Sequence, residues 1–289
     1  MNPQHPCIFG EVLYDHFPDG QRVLGGAPFN VAWHLQAFGQ APRFVSRVGH
    51  DAEGDAIRAA MDDWGMDTAT LQTDEHLPTG RVTVSFDDGE PAYDIVHPCA
   101  YDAIAAPDLA APRLLYHGSL AVRDALSRDS LRALTDRGPG TLFLDVNLRP
   151  PWWDRSSVEA LLANADWVKL NTDELDRLHN QPGAPESFIA RHDLRGLVLT
   201  HGAAGAEIIT ADGARFHAAP EPATEVVDTV GAGDAFASVV ILGLLSDWPL
   251  DLTLQRAQTF ASHIVGRRGA TVGDAAFYQR FIEEWALRA

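Results

Sequence analysis

The sequence predicts an α/β protein, a largely parallel sheet flanked by helices with a small β-lid at its edge. Short apolar runs bounded by Gly, Pro, Asn or Asp alternate with helix-capable segments along the chain, the rhythm of strand–helix–strand units. Two stretches instead surround Asp-Gly turns; one alternates apolar and polar residues, the mark of a hairpin with one exposed face. With 289 residues, 46% apolar and 21% charged, the chain has enough material for a large core and the composition of a folded protein.

In chain order, Glu11 to Leu24 is the first of the two excursions, with Asp19-Gly20 at its middle. Asn30 to Phe38 reads as a helix with Val31, Leu35 and Phe38 on one face and Gly39 as its stop. Arg43 to Val48 is a strand. The next helix sets Ile57, Ala60, Met61 and Trp64 at i, i+3, i+4 and i+7, with Gly65 after it. Gly80 to Ile95 turns at Asp87-Asp88-Gly89 as a hairpin, and with the first excursion it makes a lid from segments near 11–25 and 78–104. Further strands fall at Arg113 to His117, Thr141 to Val146, Trp167 to Leu170 and Gly196 to Thr200, and Thr172 is placed to cap a short helix opening with Asp173-Glu174. Ala206 to Ala218, turning at Asp212-Gly213, is a hairpin of the main sheet. The apolar run Ala235 to Leu245, interrupted by Ser238 and Gly243, is too short to span a bilayer. With no repeat or linker, residues 1–289 are expected to form a single domain.

Charge and rare residues exclude several functions. With 22 Lys+Arg against 40 Asp+Glu, the net charge of -18 argues against nucleic acid and anionic membranes as partners. Lys169 is the only lysine, which removes the P-loop motif GxxxxGK[ST]. Cys7 and Cys99 form no CxxC pair and read as small apolar side chains of a reducing compartment. Met1 to Gly10 has neither a basic nor an apolar leader pattern, so a cytoplasmic location is expected. The 12 histidines lack metal-ligand spacing, and no protein-held zinc is expected.

Five segments offer chemistry. Val226 to Phe236 places Gly231 and Gly233 at the start of an apolar helix, where free N–H groups and the helix dipole attract an anion. Asp234 follows them directly; it is either a helix-start carboxylate or a base for a hydroxyl attacking a phosphoryl group. The same glycines fit a dinucleotide GxGxxG poorly, because Phe236 holds the third position. Gly25-Gly26 enters a helix with Asn30 in its first turn, either as a plain capped turn or as a polar ligand contact. Asp145, Asn147 and Arg149 alternate where a strand ends, and strand carboxyl ends border the binding crevice of open α/β sheets. Asn171 and Glu174 stand at the next strand-to-helix junction as caps or as nucleotide and metal contacts. Thr200, Gly202 and Gly205 form a turn that lets a phosphate or base approach the backbone.

Together these segments resemble the PfkB (ribokinase-like) carbohydrate kinases, most closely the bacterial fructokinases. Gly25-Gly26-Ala27-Pro28-Phe29-Asn30-Val31-Ala32, followed by Gly39 and Gly49, is similar to the N-terminal signature of that family. Asp228-Thr229-Val230-Gly231-Ala232-Gly233-Asp234 is similar to its C-terminal signature, with Val239 departing from the usual Ala or Gly. The resemblance implies a doubly wound fold with a β-lid and a kinase using ATP and Mg²⁺, with K⁺ in many members. It implies Asp234 as base and Gly231, Ala232 and Gly233 as the γ-phosphate anion hole. Glu11, Asp15, Gly25, Gly26 and Asn30 would face the sugar, with Asp145, Asn147 and Arg149 beside them. Asn171, Glu174, Thr200, Gly202 and Gly205 would serve the nucleotide, Glu174 governing Mg²⁺, and Asp228, Val230 and Gly269 the monovalent cation. Sugar and ATP are then the partners, together with a second copy through the lid. D-fructose, giving fructose 6-phosphate, is the expected substrate. The alternatives are 2-keto-3-deoxygluconate, whose carboxylate Arg149 would pair, and another sugar or nucleoside. From other classes, a Schiff-base aldolase using Lys169 and a non-catalytic sugar-binding protein compete with these readings.

Overall fold

The structure, a computed structural model, describes residues 5–87, 90–179, 185–220 and 226–287. Its first half runs β1 (Cys7–Phe9), β2 (Leu13–His16), β3 (Arg22–Gly25), α1 (Ala27–Ala37), β4 (Arg43–Gly49), α2 (Ala52–Asp63), β5 (Leu71–Asp74), β6 (Gly80–Asp87), β7 (Glu90–Ile95), β8 (Leu115–His117) and α3 (Ala125–Thr135). The second runs β9 (Leu142–Asp145), α4 (Arg155–Leu162), β10 (Trp167–Asn171), α5 (Thr172–Leu178), α6 (Pro185–His192), β11 (Gly196–Thr200), β12 (Ala206–Thr210), β13 (Arg215–Ala218), α7 (Ala232–Leu245), α8 (Leu250–Val265) and α9 (Ala275–Glu284).

Nine strands form the main sheet in the order β13-β12-β11-β10-β9-β8-β1-β4-β5. From β11 to β5 every neighbouring pair is parallel, and β11, β12 and β13 close one edge antiparallel. After β5 the chain returns to lay β8 on the other side of β1. That reversal opens a crevice at the carboxyl ends of the strands.

Successive residues of these strands feed two layers. Ile8, Tyr116, Phe143 and Val198 pack with α1, α7, α8 and α9 on one face. Cys7, Phe9 and Leu115 point to the opposite layer with α3, and Leu144, Leu197 and Leu199 to its continuation under α4, α5 and α6. Both faces are covered, so the strands read as continuous apolar runs. Helix α7 is buried along nearly its whole length, which is why its sequence carries no polar stripe.

The two excursions meet as a separate sheet in the order β3-β2-β6-β7. β2 pairs with β3 and β6 with β7 as antiparallel hairpins, while β2 and β6 join in parallel. Of the expected turn Asp87-Asp88-Gly89, the residues Asp88 and Gly89 lie outside the described residues.

Several boundaries differ from the sequence reading. The sequence pattern does not predict β1 and β5; β1 has three residues, and the Leu-Gln-Thr-Asp of β5 carries one apolar side chain. The strand at 113–117 begins only at Leu115, and α1 begins at Ala27 with Pro28 in its first turn. Asn171, not Thr172, caps α5. Its amide side chain reaches the Glu174 N–H, leaving Thr172 as the first helical residue. Among the described residues no helix is long and apolar enough to cross a membrane.

Candidate active site

A cavity of about 740 Å³ lies between the carboxyl ends of the main strands and the inner face of the small sheet. The small sheet contributes Leu13, Asp15, Val23, Leu24, Val82 and Ile95 to it, so it covers the crevice as a lid.

The strand ends fix the opposite wall. Asp145 and Lys169 are register partners on β9 and β10, so both side chains leave the same face of the sheet. The Lys169 ammonium donates to both Asp145 oxygens at 2.9 and 2.8 Å, and the Tyr116 hydroxyl donates to Asp145 Oδ2 at 3.3 Å. Burial works against the lysine charge, yet the Asp145 carboxylate leaves its pKa raised above the ordinary value. A clamped, fully protonated ammonium is the opposite of what a Schiff-base nucleophile requires.

At the end of β10, Asn171 and Glu174 close a reciprocal cap. The Asn171 side chain accepts from the Glu174 N–H, and Glu174 Oε2 accepts from the Asn171 N–H, both at 2.9 Å. Glu174 Oε1 accepts from the Leu148 N–H at 2.7 Å, which ties the loop after β9 to this helix. Burial raises the Glu174 pKa, and these two backbone donors pull against that rise.

At the entry of α7, Gly231 holds φ +78°, and a Cβ there would lie 2.3 Å from Ala270 Cβ. Only glycine lets the chain enter the helix so close to that loop. Asp234 stands in the first turn, with its carboxylate opening onto the cavity. Its Oδ2 accepts from Asn30 Nδ2 of α1 at 2.8 Å. The two motifs that lie 204 residues apart in sequence therefore touch. Burial raises the Asp234 pKa, while the Asn30 hydrogen bond and the charges of Lys169 and Arg149 favour the ionised form.

On the lid side, burial pushes Glu11 up to about 7 and Asp15 up to about 6, and Arg149 pulls both down. The remaining oxygen of Asn30, Oδ1, is buried without a hydrogen-bond partner among the described residues.

Of the residues singled out from sequence, the cavity wall gathers Glu11, Asp15, Gly25, Gly26, Asn30, Asp145, Asn147, Arg149, Asn171, Glu174, Thr200, Val230, Gly231, Gly233 and Asp234. Ala232, Gly202, Gly205, Asp228 and Gly269 lie off that wall. Gly205 has a packing reason of its own, since a Cβ there would sit 2.1 Å from the Ala218 carbonyl oxygen. Asp228 brackets two loops, accepting from the N–H groups of Val230 and Gly269, each at 3.0 Å. Sequence reasoning missed the Asp145–Lys169 pair and the aliphatic lid wall. The signal for the pair was present, because opposite charges occupy matching positions near the ends of two predicted strands.

The family model described as pfkB family carbohydrate kinase matches residues 7–275. The chain is 32% identical over 260 residues to an aminoimidazole riboside kinase of Salmonella typhimurium, covering 82% of this chain and 80% of that protein. It is 32% identical over 259 residues to a fructokinase of Klebsiella pneumoniae, covering 82% and 83%. Among solved structures, a double mutant of the Vibrio cholerae O395 fructokinase with fructose, ADP and potassium ion bound superposes with a TM-score of 0.81 at 25% identity, covering 96% of this chain and 99% of that one.

Proposed function

The chain belongs to the pfkB family carbohydrate kinases, and from that membership we propose that it transfers the γ-phosphoryl group of ATP to a primary hydroxyl of a small ketose, converting D-fructose to fructose 6-phosphate. The contact between Asn30 and Asp234 carries this reading, because it joins the sugar-side motif to the helix start that would receive the phosphoryl group.

In this mechanism Asp15 and Asn30 orient the sugar under the lid, with Asn30 Oδ1 free to accept from a hydroxyl while its Nδ2 holds Asp234. Asp234 takes the proton as the primary hydroxyl attacks in line. The N–H groups of Gly231, Ala232 and Gly233, at the positive end of α7, receive the charge that develops on the transferring group. Asp145 holds Lys169 against the same helix start, where a Cβ on Gly233 would lie 3.6 Å from the ammonium. The aliphatic lid residues exclude water from the reacting group.

On the nucleotide side we assign Asn171, Glu174, Thr200 and the turn carrying Gly202 and Gly205. Mg²⁺ arrives as part of the nucleotide substrate and offsets its charge. One carboxylate beside phosphate oxygens and water is a sufficient protein share of such a site, and Glu174, with a lone pair left on each oxygen, fits. Asp228 and the Val230 carbonyl are our choice for a K⁺ ion that would brace the 228–231 and 269–270 loops.

The substrate is tested by comparing kcat/KM for D-fructose and 2-keto-3-deoxygluconate with MgATP. A neutral sugar suits a cavity carrying Glu11 and Asp15, so fructose is expected to win. A preference for the acid that disappears in Arg149→Ala would overturn the assignment, since a guanidinium is the natural partner of a carboxylate.

A further inference from the structure

Glu11 follows β1 just before the lid begins and lines the cavity. It is 3% exposed, and its Oε2 has no hydrogen-bond partner among the described residues. A buried carboxylate is normally accompanied by a donor or a dedicated cation. The charged and titratable groups that face Glu11 do not supply one. Arg149, from the loop after β9, is shared with Asp15 and Asp234. The Arg123 guanidinium is committed to Asp102, donating from Nε at 2.6 Å and from Nη2 at 2.8 Å. Asp234 on α7 adds a negative charge, and Tyr101 and Tyr116 face the same carboxyl as neutral phenols, their pKa values raised by burial.

A neutral acid in this position has one O–H to donate, and the free oxygen shows no acceptor in the protein for it. The acceptor must come with the substrate. We propose that Glu11 works as an uncharged carboxylic acid whose O–H donates to an oxygen of the bound sugar, so that sugar affinity falls as Glu11 ionises. This rests on the sugar-kinase reading and adds to it a specificity residue whose proton is the recognition element. The sign is fixed: the donor is present at low pH and lost as pH rises through the Glu11 pKa, which burial sets at about 7. The Asp234 base has the opposite requirement and loses activity as pH falls.

Glu11→Gln is the decisive variant, because glutamine keeps the shape and a donor but cannot ionise. With D-fructose and MgATP, the wild-type sugar KM should be low at pH 6 and climb by about tenfold per pH unit well above the Glu11 pKa. Glu11→Gln should stay within about threefold of wild type at pH 6 and remain flat to pH 9. Glu11→Ala should raise KM by about five- to a hundredfold even at pH 6, the range for a lost buried hydrogen bond. A wild-type KM that is flat with pH, or a Gln variant as poor as Ala at pH 6, overturns the proposal. Carboxyl ¹³C NMR of the sugar-free protein reads the protonation without any turnover. A resonance titrating near neutrality and missing in Glu11→Gln supports the neutral acid, and one titrating near pH 4 rejects it. Absence of turnover with every sugar while that resonance titrates near neutrality would instead count against the kinase reading.

Discussion

Asp234 combines burial, which raises its pKa, with an amide donor from Asn30 and two nearby cations that favour its charge. A base must be ionised to accept a proton, so turnover should be present above the Asp234 pKa and fall as pH drops through it. Asp234→Asn should preserve the fold and nucleotide binding while kcat falls by about 10²–10⁴-fold; near-normal turnover in that variant would sink the assignment. Asn30→Ala should move the acid limb of kcat to higher pH, because it removes a hydrogen bond made only to the charged form. At this scale Asp234 and Asn30 are legible in the sequence, since each sits beside paired glycines at a helix start, a pattern that an ordinary amphipathic helix does not require. Lys169 stands out there only for being alone, because its partner is defined by strand register, and single-residue patterns do not contain register.

At the scale of elements, the α5 cap shows how one residue serves two ends. Glu174 uses its two oxygens to hold the Asn171 and Leu148 N–H groups, which positions the same carboxylate at the cavity. Glu174→Gln replaces one acceptor by an NH₂ group facing a backbone donor and removes the charge. The Mg²⁺ concentration for half-maximal rate should therefore rise, by about tenfold on the energy of one charge-assisted contact. A magnesium titration that overlays wild type would reduce Glu174 to a capping residue. The long helices and the central strands are readable because burial on one or both faces writes a period into the sequence. β1 and β5 are not, being too short or too polar to show one. The cap falls on Asn171 and not on Thr172 because both adjacent residues favour caps, and only the reach of the Asn171 side chain decides between them.

Across the whole molecule, a net charge of -18 opposes an anionic nucleotide at long range, while attraction is confined to the α7 entrance, Lys169 and Arg149. Salt screens the distant repulsion first, since the Debye length shortens from about 30 Å at 0.01 M to about 8 Å at 0.15 M. The KM for MgATP should accordingly fall, by about twofold, over that range of ionic strength. A KM that rises with salt would mean that a local basic surface dominates the encounter. The α/β class and the existence of a lid are legible from alternation alone. The strand order is not, because the return of the chain from β5 to β8 is a choice of crossover, and the parallel join of β2 to β6 links segments over 60 residues apart.

The buried pair on β9 and β10 also shapes how the protein meets amine-reactive reagents. Lys169 is the only lysine in the sequence, and its nitrogen is enclosed with Asp145 on the wall of the cavity. Apart from the terminal amino group, acylating labels, aldehyde fixatives and lysine-directed proteases have one target, and it is shielded while the fold stays shut. The rate at which that single site becomes modified is then a direct counter of how often the crevice opens, and bound nucleotide or sugar should slow the count.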